Sequence, residues 1–372
     1  MEVFLPYILL ALFSLCFIIQ LYFLISQYFA LKKLDTQPAD SSRQVPVSVI
    51  ICARNEAENL QQNLPYILNQ NYPDFEVIVV NDCSSDDTSF ILDKFKSAHN
   101  NLKLVTVTEH RRFKTGKKFA LTMGIKAAKN DHLLLTDADC LPASDNWIQL
   151  MQQGFSEEKE IVLGYSPYKK TSGFLNTFVR FETVKTAFSY LSAALKNRPY
   201  MGVGRNLAYT KTLFFGAKGF ASHMHVLSGD DDLFINQNAN SVNTSVQVNT
   251  EAHTFSETKT SLRAYYRQKK RHMGVGKYYK RKDRVLITFD ALSGFIFYIL
   301  LVVLICLKIE PILVLSLYIF RLILQCFFYP VNFRKLDAAD LIWKFPLLDL
   351  FYYLYLNVFG MIGLATKNLK WK

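Results

Sequence analysis

Two aspartates separated by one residue follow an apolar run of the chain. The run is His132–Leu135, of sequence HLLL. One threonine follows it, and Asp137 and Asp139 come next. If this run is a buried strand, both carboxylates leave its carboxyl end and can reach one cation. Mg²⁺ and Mn²⁺ prefer oxygen ligands of this kind. A DxD pattern is common by chance in loops, so its position after a strand is what predicts a Mg²⁺ or Mn²⁺ site.

Alternating strands and helices are predicted around this pair. The apolar, β-branched runs expected to be strands are Val47–Cys52, Phe75–Val80, Leu102–Val107 and His132–Leu135. The segments with helical spacing or helix caps between them are Glu56–Leu68, Ser85–Ala98 and Lys117–Lys129. The alternation predicts an α/β fold with a parallel sheet, which binds ligands beyond the carboxyl ends of its strands.

Polar residues follow three of these strands where each one ends. They are Ala53-Arg54-Asn55-Glu56, Asn81-Asp82 and Asp137-Ala138-Asp139. Because the carboxyl ends of parallel strands share one edge of a sheet, we expect these groups to form one site.

Four apolar segments flank this region. They are Val3–Leu31, Ala291–Leu307, Pro311–Tyr329 and Leu350–Ala365. The first three are long enough to cross a bilayer and the last is marginal. The first lacks the basic start of a signal peptide and ends in Lys32-Lys33, so we expect an uncleaved anchor. The predicted organisation is an anchor at 1–33, a catalytic domain at 45–284 and a C-terminal membrane region of two to three helices at 285–372.

Basic residues predict which side of the membrane the middle region occupies. Lys32-Lys33, the basic run Arg263 to Arg284 and Arg334-Lys335 all adjoin apolar segments on one predicted side, which places 45–284 in the cytoplasm. The net charge of +12 then indicates contact with anionic membrane lipids and not with nucleic acid. Arg321, inside an apolar segment, is expected to face other helices or a polar cavity.

Six short motifs occur in a characteristic order: VSVIICARNEAENL, VNDCSSDDT, GKKFAL, TDAD, SGDDDLF and RQKKRH. From Val47 to His272 they resemble the membrane-bound family 2 glycosyltransferases of the GT-A fold, which include cellulose, chitin, hyaluronan and poly-N-acetylglucosamine synthases and ceramide glucosyltransferases. Each motif alone is weak, whereas six in order are specific. The resemblance implies a mixed, mainly parallel sheet in a catalytic domain flanked by transmembrane helices, in the bacterial cytoplasmic membrane.

The resemblance further implies inverting, metal-dependent transfer of a sugar from a nucleotide sugar, by family preference a UDP-sugar. The acceptor would be a membrane-associated lipid or a saccharide. Donor binding is assigned by the matching motif positions to Ala53, Arg54, Glu56, Asp82, Lys117 and Asp137. Asp139 is the favoured ligand of Mg²⁺ or Mn²⁺, together with Asp137.

Two further motifs supply the remaining roles that the resemblance implies. Asp231 matches the general base, and Asp230 would take its place if the frame shifts by one residue. Gln268, Arg271 and His272 match the diphosphate and acceptor motif QxxRW, with histidine in place of tryptophan.

These residue types suit the implied chemistry. A carboxylate such as Asp231 can take the proton of the attacking acceptor hydroxyl. The leaving diphosphate must be neutralised by a cation and by fixed positive groups such as Lys117 and Arg271. Simpler alternatives are helix capping by Asp82 and Asp86, and a solvated helix start at Asp230 to Asp232. We assign capping alone to Asp86 and a further role to Asp82.

Two other segments have open interpretations. Met201-Gly202-Val203-Gly204-Arg205-Asn206 lacks the ending of a phosphate-binding loop, and its glycines can allow the backbone to approach the acceptor closely. Gly173–Leu195 has an apolar stripe at helical spacing, typical either of a helix at the membrane surface or of a core helix.

Two rival functions follow from the same sequence. A catalytically silent membrane protein with a GT-A-like binding domain is disfavoured because Asp82, Asp139, Asp231 and Arg271 all occur together. A processive polysaccharide synthase remains an alternative, although such synthases usually have more membrane helices, and His272 removes a broad stacking surface.

Overall fold

The computed structural model describes residues 4–34, 44–108 and 116–365. The chain divides into two compact units. The helical unit contains the described residues before residue 35, Ser172–Ser192 and the described residues from Thr260 to 365. The sheet unit contains the intervening residues up to Thr171 and Ala193–Lys259.

Nine strands occur among the described residues of the sheet unit. They are β1 (Val47–Ala53), β2 (Phe75–Asp82), β3 (Leu102–Val107), β4 (His132–Asp137), β5 (Leu141–Pro142), β6 (Ile161–Leu163), β7 (Leu207–Thr210), β8 (Thr244–Val246) and β9 (Thr254–Phe255). Seven form one sheet in the order β3-β2-β1-β4-β7-β6-β8. The first four pair in parallel, and β7 runs antiparallel to both β4 and β6. The predicted α/β fold with a mainly parallel sheet is confirmed.

Twelve α-helices are present in the described residues. They are α1 (Leu5–Lys32), α2 (Ala57–Leu68), α3 (Thr88–Ala98), α4 (Lys117–Ala127), α5 (Trp147–Gln152), α6 (Phe174–Leu195), α7 (Lys211–Gly216), α8 (Asp232–Asn238), α9 (Leu262–Met273), α10 (Arg281–Cys306), α11 (Pro311–Lys335) and α12 (Phe345–Ala365). The four predicted strands and three predicted helices of the N-terminal half are all found.

One helix start was predicted too early. We expected a helix from Ser85, and α3 begins at Thr88. The residues before it form a turn, in which Asp86 accepts hydrogen bonds from the backbone N–H groups of Thr88 and Ala57. These two bonds confirm the capping role of Asp86, because they satisfy N–H groups at the starts of α3 and α2.

The core of the sheet unit brings α4 close to the strands that end at the polar groups. Val49, Ile51, Val77 and Val79 are fully buried, as expected for strands covered on both faces. A Cβ atom at Gly124 of α4 would lie 2.8 Å from methyl groups of β1 and β2. The missing side chain therefore allows α4 to pack directly on the sheet, which fixes the position of Lys117 at its first turn.

Within the described ranges of the helical unit, four helices are long and apolar enough to cross a membrane: Leu5–Lys32, Arg281–Cys306, Pro311–Lys335 and Phe345–Gly363. The last of them extends beyond the marginal segment predicted from the sequence, because it begins five residues earlier, at Phe345.

A buried group of charges joins three helices of the helical unit. Asp349 of α12 is fully buried and lies 2.7 Å from Arg321 of α11 and 3.2 Å from Lys185 of α6. Tyr298 of α10 donates a hydrogen bond to the same carboxylate at 3.0 Å. Arg321 is itself 2% exposed, which confirms the prediction that it faces other helices.

Replacement of Asp349 by leucine is expected to cost about 3–5 kcal/mol of unfolding free energy, because it leaves two buried cations without a counter-ion. Thermal or denaturant unfolding of the purified protein in detergent measures this. Asp340→Leu is the matched control, since Asp340 pairs with Arg180 but is more exposed, and a smaller loss is expected.

The combined variant Lys185→Met, Arg321→Met and Asp349→Leu tests whether unpaired charge or altered packing causes the stability loss of Asp349→Leu. If unpaired charge causes the loss, this variant should be more stable than Asp349→Leu alone. Equal stability of Asp349→Leu and the natural chain would show that the triad does not hold these helices.

Candidate active site

Three strand ends meet at one edge of the sheet. Cys52 of β1 is paired with Asp137 of β4, and Ala53 is paired with Asn81 of β2. Asp82, at the end of β2, therefore lies just past the end of β1. Asp137, the first residue of the DxD pair, lies on β4 at the other side of β1. The predicted convergence of the three polar groups is confirmed for the backbone.

Lys117 links the DxD pair to the second acidic motif. Its Nζ lies 2.9 Å from Asp137 Oδ1 and 2.9 Å from Asp230 Oδ2. Burial raises the pKa of the Asp230 carboxyl, but the Lys117 ammonium outweighs burial and holds this pKa below its usual value. The sheet unit thus brings together two acidic motifs that are 93 residues apart, counted from Asp137 to Asp230.

Asp231 occupies a different environment from its neighbour. Its Oδ2 accepts the backbone N–H of Gly204 at 2.8 Å, and its Oδ1 accepts that of Asp232 at the start of α8. Burial and the adjacent charge of Asp230 raise the pKa of Asp231 above its usual value. A fixed, half-exposed carboxylate with a raised pKa can accept a proton from a bound hydroxyl.

The other end of the site contains a buried carboxylate. Asp82 is 2% exposed, and its Oδ1 has no hydrogen-bond partner among the described residues. Burial raises the pKa of Asp82, while the charge of Arg54 partly opposes this. A buried acceptor without a donor is costly, so an N–H group of a ligand would be favoured here.

The first loop is fixed to the turn after β2. The backbone N–H of Glu56 donates to Thr88 Oγ1 at 3.0 Å, and Asn55 accepts the N–H of Ser85 at 2.8 Å. The Glu56 carboxylate accepts a hydrogen bond from Asn59. Ala53, Arg54 and Glu56 are therefore held at the same sheet edge as Asp82.

Residues 48–225 match the family described as "Glycosyl transferase family 2". These residues contain both the strand ends and the DxD pair. The chain contains a glycosyltransferase family 2 domain.

Curated relatives of this family 2 domain are similar over part of their length. A poly-beta-1,6-N-acetyl-D-glucosamine synthase of Staphylococcus epidermidis is 36% identical over 99 residues, which are 27% of this chain and 23% of the relative. The glycosyltransferase GlyG of Streptococcus pneumoniae is 30% identical over 129 residues, 34% of this chain and 41% of the relative. The chain thus aligns with less than half the length of these relatives.

A solved structure shares the GT-A fold. The mannosyltransferase PcManGT from Pyrobaculum calidifontis, in complex with GDP-Man and Mn²⁺, is similar with a TM-score of 0.61 at 17% identity, over 95% of this chain and 98% of that one. Because the identity is only 17%, this similarity establishes the fold of the family 2 domain alone.

The family 2 domain has a donor set that suits a divalent cation bound together with phosphate. Asp137 and Asp139 supply two carboxylates, and no group of three His, Cys, Asp or Glu side chains able to hold a metal occurs in the described residues. Mg²⁺ is commonly held by one or two carboxylates together with substrate phosphates and water. Asp139 has no ion pair within the described part of the chain and is half-buried, so its oxygens fit this role.

The QxxRH residues lie in the helical unit. Gln268, Arg271 and His272 are on α9, whose N-terminus is capped by Ser261. Their predicted contacts with diphosphate and acceptor stay predictions.

Sequence reasoning missed the importance of Arg205. The glycines of its segment predict a close approach of the backbone to the acceptor. The close approach present at Gly204 is to Asp231, where a Cβ atom would lie 3.2 Å from Oδ2. Burial and the charge of Asp137 raise the pKa of Asp139, and the charge of the next residue, Arg205, partly opposes this rise. The signal was present as an arginine directly after Gly-Val-Gly, but its proximity to the DxD pair depends on the fold.

Proposed function

We propose that the chain is a membrane-bound inverting glycosyltransferase, which moves a sugar from a nucleotide sugar to a membrane-associated lipid or saccharide acceptor. The observation that carries this is the double ion pair of Lys117 with Asp137 and Asp230, beside the half-exposed carboxylate of Asp231. It unites the DxD pair, a fixed cation and a candidate base in one domain.

Donor binding is proposed at the strand ends. Asp82 would accept an N–H of the base, as its unpaired oxygen supports, with Ala53, Arg54 and Glu56 beside it. Asp137 and Asp139 would hold the diphosphate through Mg²⁺ or Mn²⁺, which supplies charge neutralisation when bound. Gln268, Arg271 and His272 would contact the diphosphate and the acceptor; their motif alone supports this.

Asp231 is the proposed general base, and Asp230 is not. Asp230 is 6% exposed, and its negative charge is already paired with Lys117. Asp231 forms no ion pair in the described part of the chain, and burial and the charge of Asp230 raise its pKa, which favours proton uptake, although the two backbone N–H groups that hold the carboxylate partly oppose this rise. In the proposed reaction Asp231 takes the hydroxyl proton while the acceptor oxygen bonds to the anomeric carbon and the bond to the diphosphate breaks.

A donor panel tests the proposed function. Purified full-length protein is incubated with UDP-glucose, UDP-N-acetylglucosamine, UDP-galactose or GDP-mannose, with and without a membrane lipid extract, and the nucleoside diphosphate released is measured. We expect release from one UDP-sugar that increases with the extract. Binding of a donor without release of nucleoside diphosphate from any donor would support the catalytically silent alternative.

A processive synthase is the second candidate, because curated relatives include poly-beta-1,6-N-acetyl-D-glucosamine synthases. Product length separates the two candidates. A single added sugar per acceptor supports single transfer, whereas a ladder of long products supports processive synthesis.

We also propose that the sheet unit faces the cytoplasm, on the basis of the Lys and Arg bias. In a cysteine-free background, Asn100→Cys is exposed in the sheet unit and Lys308→Cys is exposed between α10 and α11. A membrane-impermeant maleimide added to intact bacterial cells should label Lys308→Cys but not Asn100→Cys until the cells are permeabilised. The reverse pattern would invert the proposed topology.

A further inference from the structure

The Arg205 side chain is held in a fixed position. Its guanidinium carbon lies 4.2 Å from the centre of the Tyr168 ring. Nη2 donates a hydrogen bond to the Ser166 carbonyl oxygen at 2.9 Å, and Nη1 donates to Ser256 Oγ. Stacking on an aromatic ring with hydrogen bonds to two neutral oxygens keeps a guanidinium in place without neutralising it.

The positive charge of Arg205 stays unpaired beside acidic groups. In the described part of the chain Arg205 forms no ion pair, whereas Asp137 is paired with Lys117. The backbone of Arg205 lies next to the DxD strand, because its carbonyl oxygen accepts the hydroxyl of Thr136, the residue before Asp137. Two of the five guanidinium N–H groups are used by Ser166 and Ser256, so three remain available.

The backbone next to Arg205 joins the proposed base to the DxD strand. The N–H of Gly204 binds Asp231, and the carbonyl oxygen of Arg205 accepts the Thr136 hydroxyl at 2.9 Å, one residue before Asp137. Thr254 donates a second hydrogen bond to the same carbonyl oxygen at 2.8 Å. The backbone of Gly204 and Arg205 thus contacts both Asp231 and the DxD strand, the two parts of the site between which sugar transfer would occur.

We propose that Arg205 binds a phosphate group of a substrate and, with Lys117, is a second fixed cation of the site. This inference rests on the proposed function. A rigid planar guanidinium with unused N–H groups is well matched to phosphate oxygens, which it can bind through two parallel hydrogen bonds. Two sources carry that chemistry: the diphosphate of the donor, and the phosphate of a lipid-linked acceptor.

The experiment compares ligands with and without phosphate. Binding of UDP, GDP and uridine, in the presence of Mn²⁺, is measured by calorimetry for full-length protein in neutral phosphatidylcholine nanodiscs. Arg205→Gln is expected to weaken binding of the preferred nucleoside diphosphate about tenfold or more, the scale of one charge-assisted hydrogen bond, with Arg205→Lys in between. Uridine has the same base and ribose, so its affinity should not change if UDP is preferred.

The matched control is Arg198→Gln, since Arg198 is exposed in the same unit. It should bind every ligand as the natural chain does. In a second arm, polyprenyl phosphate is added to the nanodiscs, and its binding to the protein is titrated to saturation. Loss of this binding in Arg205→Gln, with unchanged nucleoside diphosphate binding, assigns Arg205 to the acceptor phosphate.

Three outcomes would overturn the inference. Unchanged affinity of Arg205→Gln for both phosphate probes removes the proposed contact and leaves the proposed function intact. An equal loss of uridine binding shows that Arg205 acts on the shape of the site and not on phosphate. If the natural chain binds neither UDP nor GDP, the proposed function fails together with the inference.

Discussion

Replacement of Asp231 by asparagine is expected to lower the turnover number for sugar transfer by about 100-fold or more, the usual scale for loss of a general base. The amide keeps the size of the side chain and can still accept the Gly204 N–H, but it cannot take up the acceptor proton. The donor contacts proposed for Asp82 and Asp139 are unchanged. Donor affinity should therefore stay close to that of the natural chain, as measured by calorimetry beside steady-state kinetics.

The neighbouring aspartates are the matched controls for this prediction. Asp232→Asn should have a mild effect, because the Asp232 carboxylate accepts the N–H of Leu233 within α8 and has no proposed proton to take. Asp230→Asn should weaken the bridge made by Lys117, so part of its effect should appear in donor affinity.

Two results would change the assignment. Normal turnover of Asp231→Asn with an inactive Asp230→Asn would move the base to Asp230 and leave the mechanism in place. Full activity of all three variants would remove the general base from this motif altogether.

The strands were predictable because their pattern is local. The run from Val47 is β-branched and buried along nearly its whole length, as in a strand covered on both faces, and the β3 boundaries match the prediction. The start of α3 was not predictable in this way. Its turn depends on hydrogen bonds with residues about 30 positions earlier: Asp86 accepts the N–H of Ala57, and Ser85 donates its N–H to Asn55.

The composition of the site was predictable from motifs, whereas its connections were not. Lys117 was expected near the donor, but its simultaneous contact with Asp137 and Asp230 requires three distant segments to be positioned together. The same holds for Gly204 and Arg205. No periodicity or spacing links them to Asp231 and Thr136, since that link depends on β7 pairing with β4 in the folded sheet.

Asp139→Asn is expected to abolish sugar transfer and to remove the Mg²⁺ or Mn²⁺ dependence of donor binding. Asp139 is the sharper test of the metal site, because Asp137 also neutralises Lys117 and its replacement would disturb two interactions. The nearest described partner of the Asp139 carboxylate is the Cys140 thiol at 3.6 Å, a weak contact. An asparagine at this position therefore keeps the described contacts of the side chain and removes only the negative charge that would bind a cation.

The measurement is donor binding by calorimetry at a series of Mn²⁺ concentrations, with transfer assayed in parallel. Asp145→Asn is the matched control, since Asp145 is exposed in the loop that follows the DxD pair. EDTA should lower the donor affinity of the natural chain and of Asp145→Asn to the level of Asp139→Asn. Added Mn²⁺ should restore the affinity of the natural chain and of Asp145→Asn, but not that of Asp139→Asn. Full activity of Asp139→Asn, or of the natural chain after thorough EDTA treatment, would contradict a metal role for the DxD pair. The neutralisation of the diphosphate would then depend on the fixed cations Lys117 and Arg205, since both lie beside these carboxylates in the same unit.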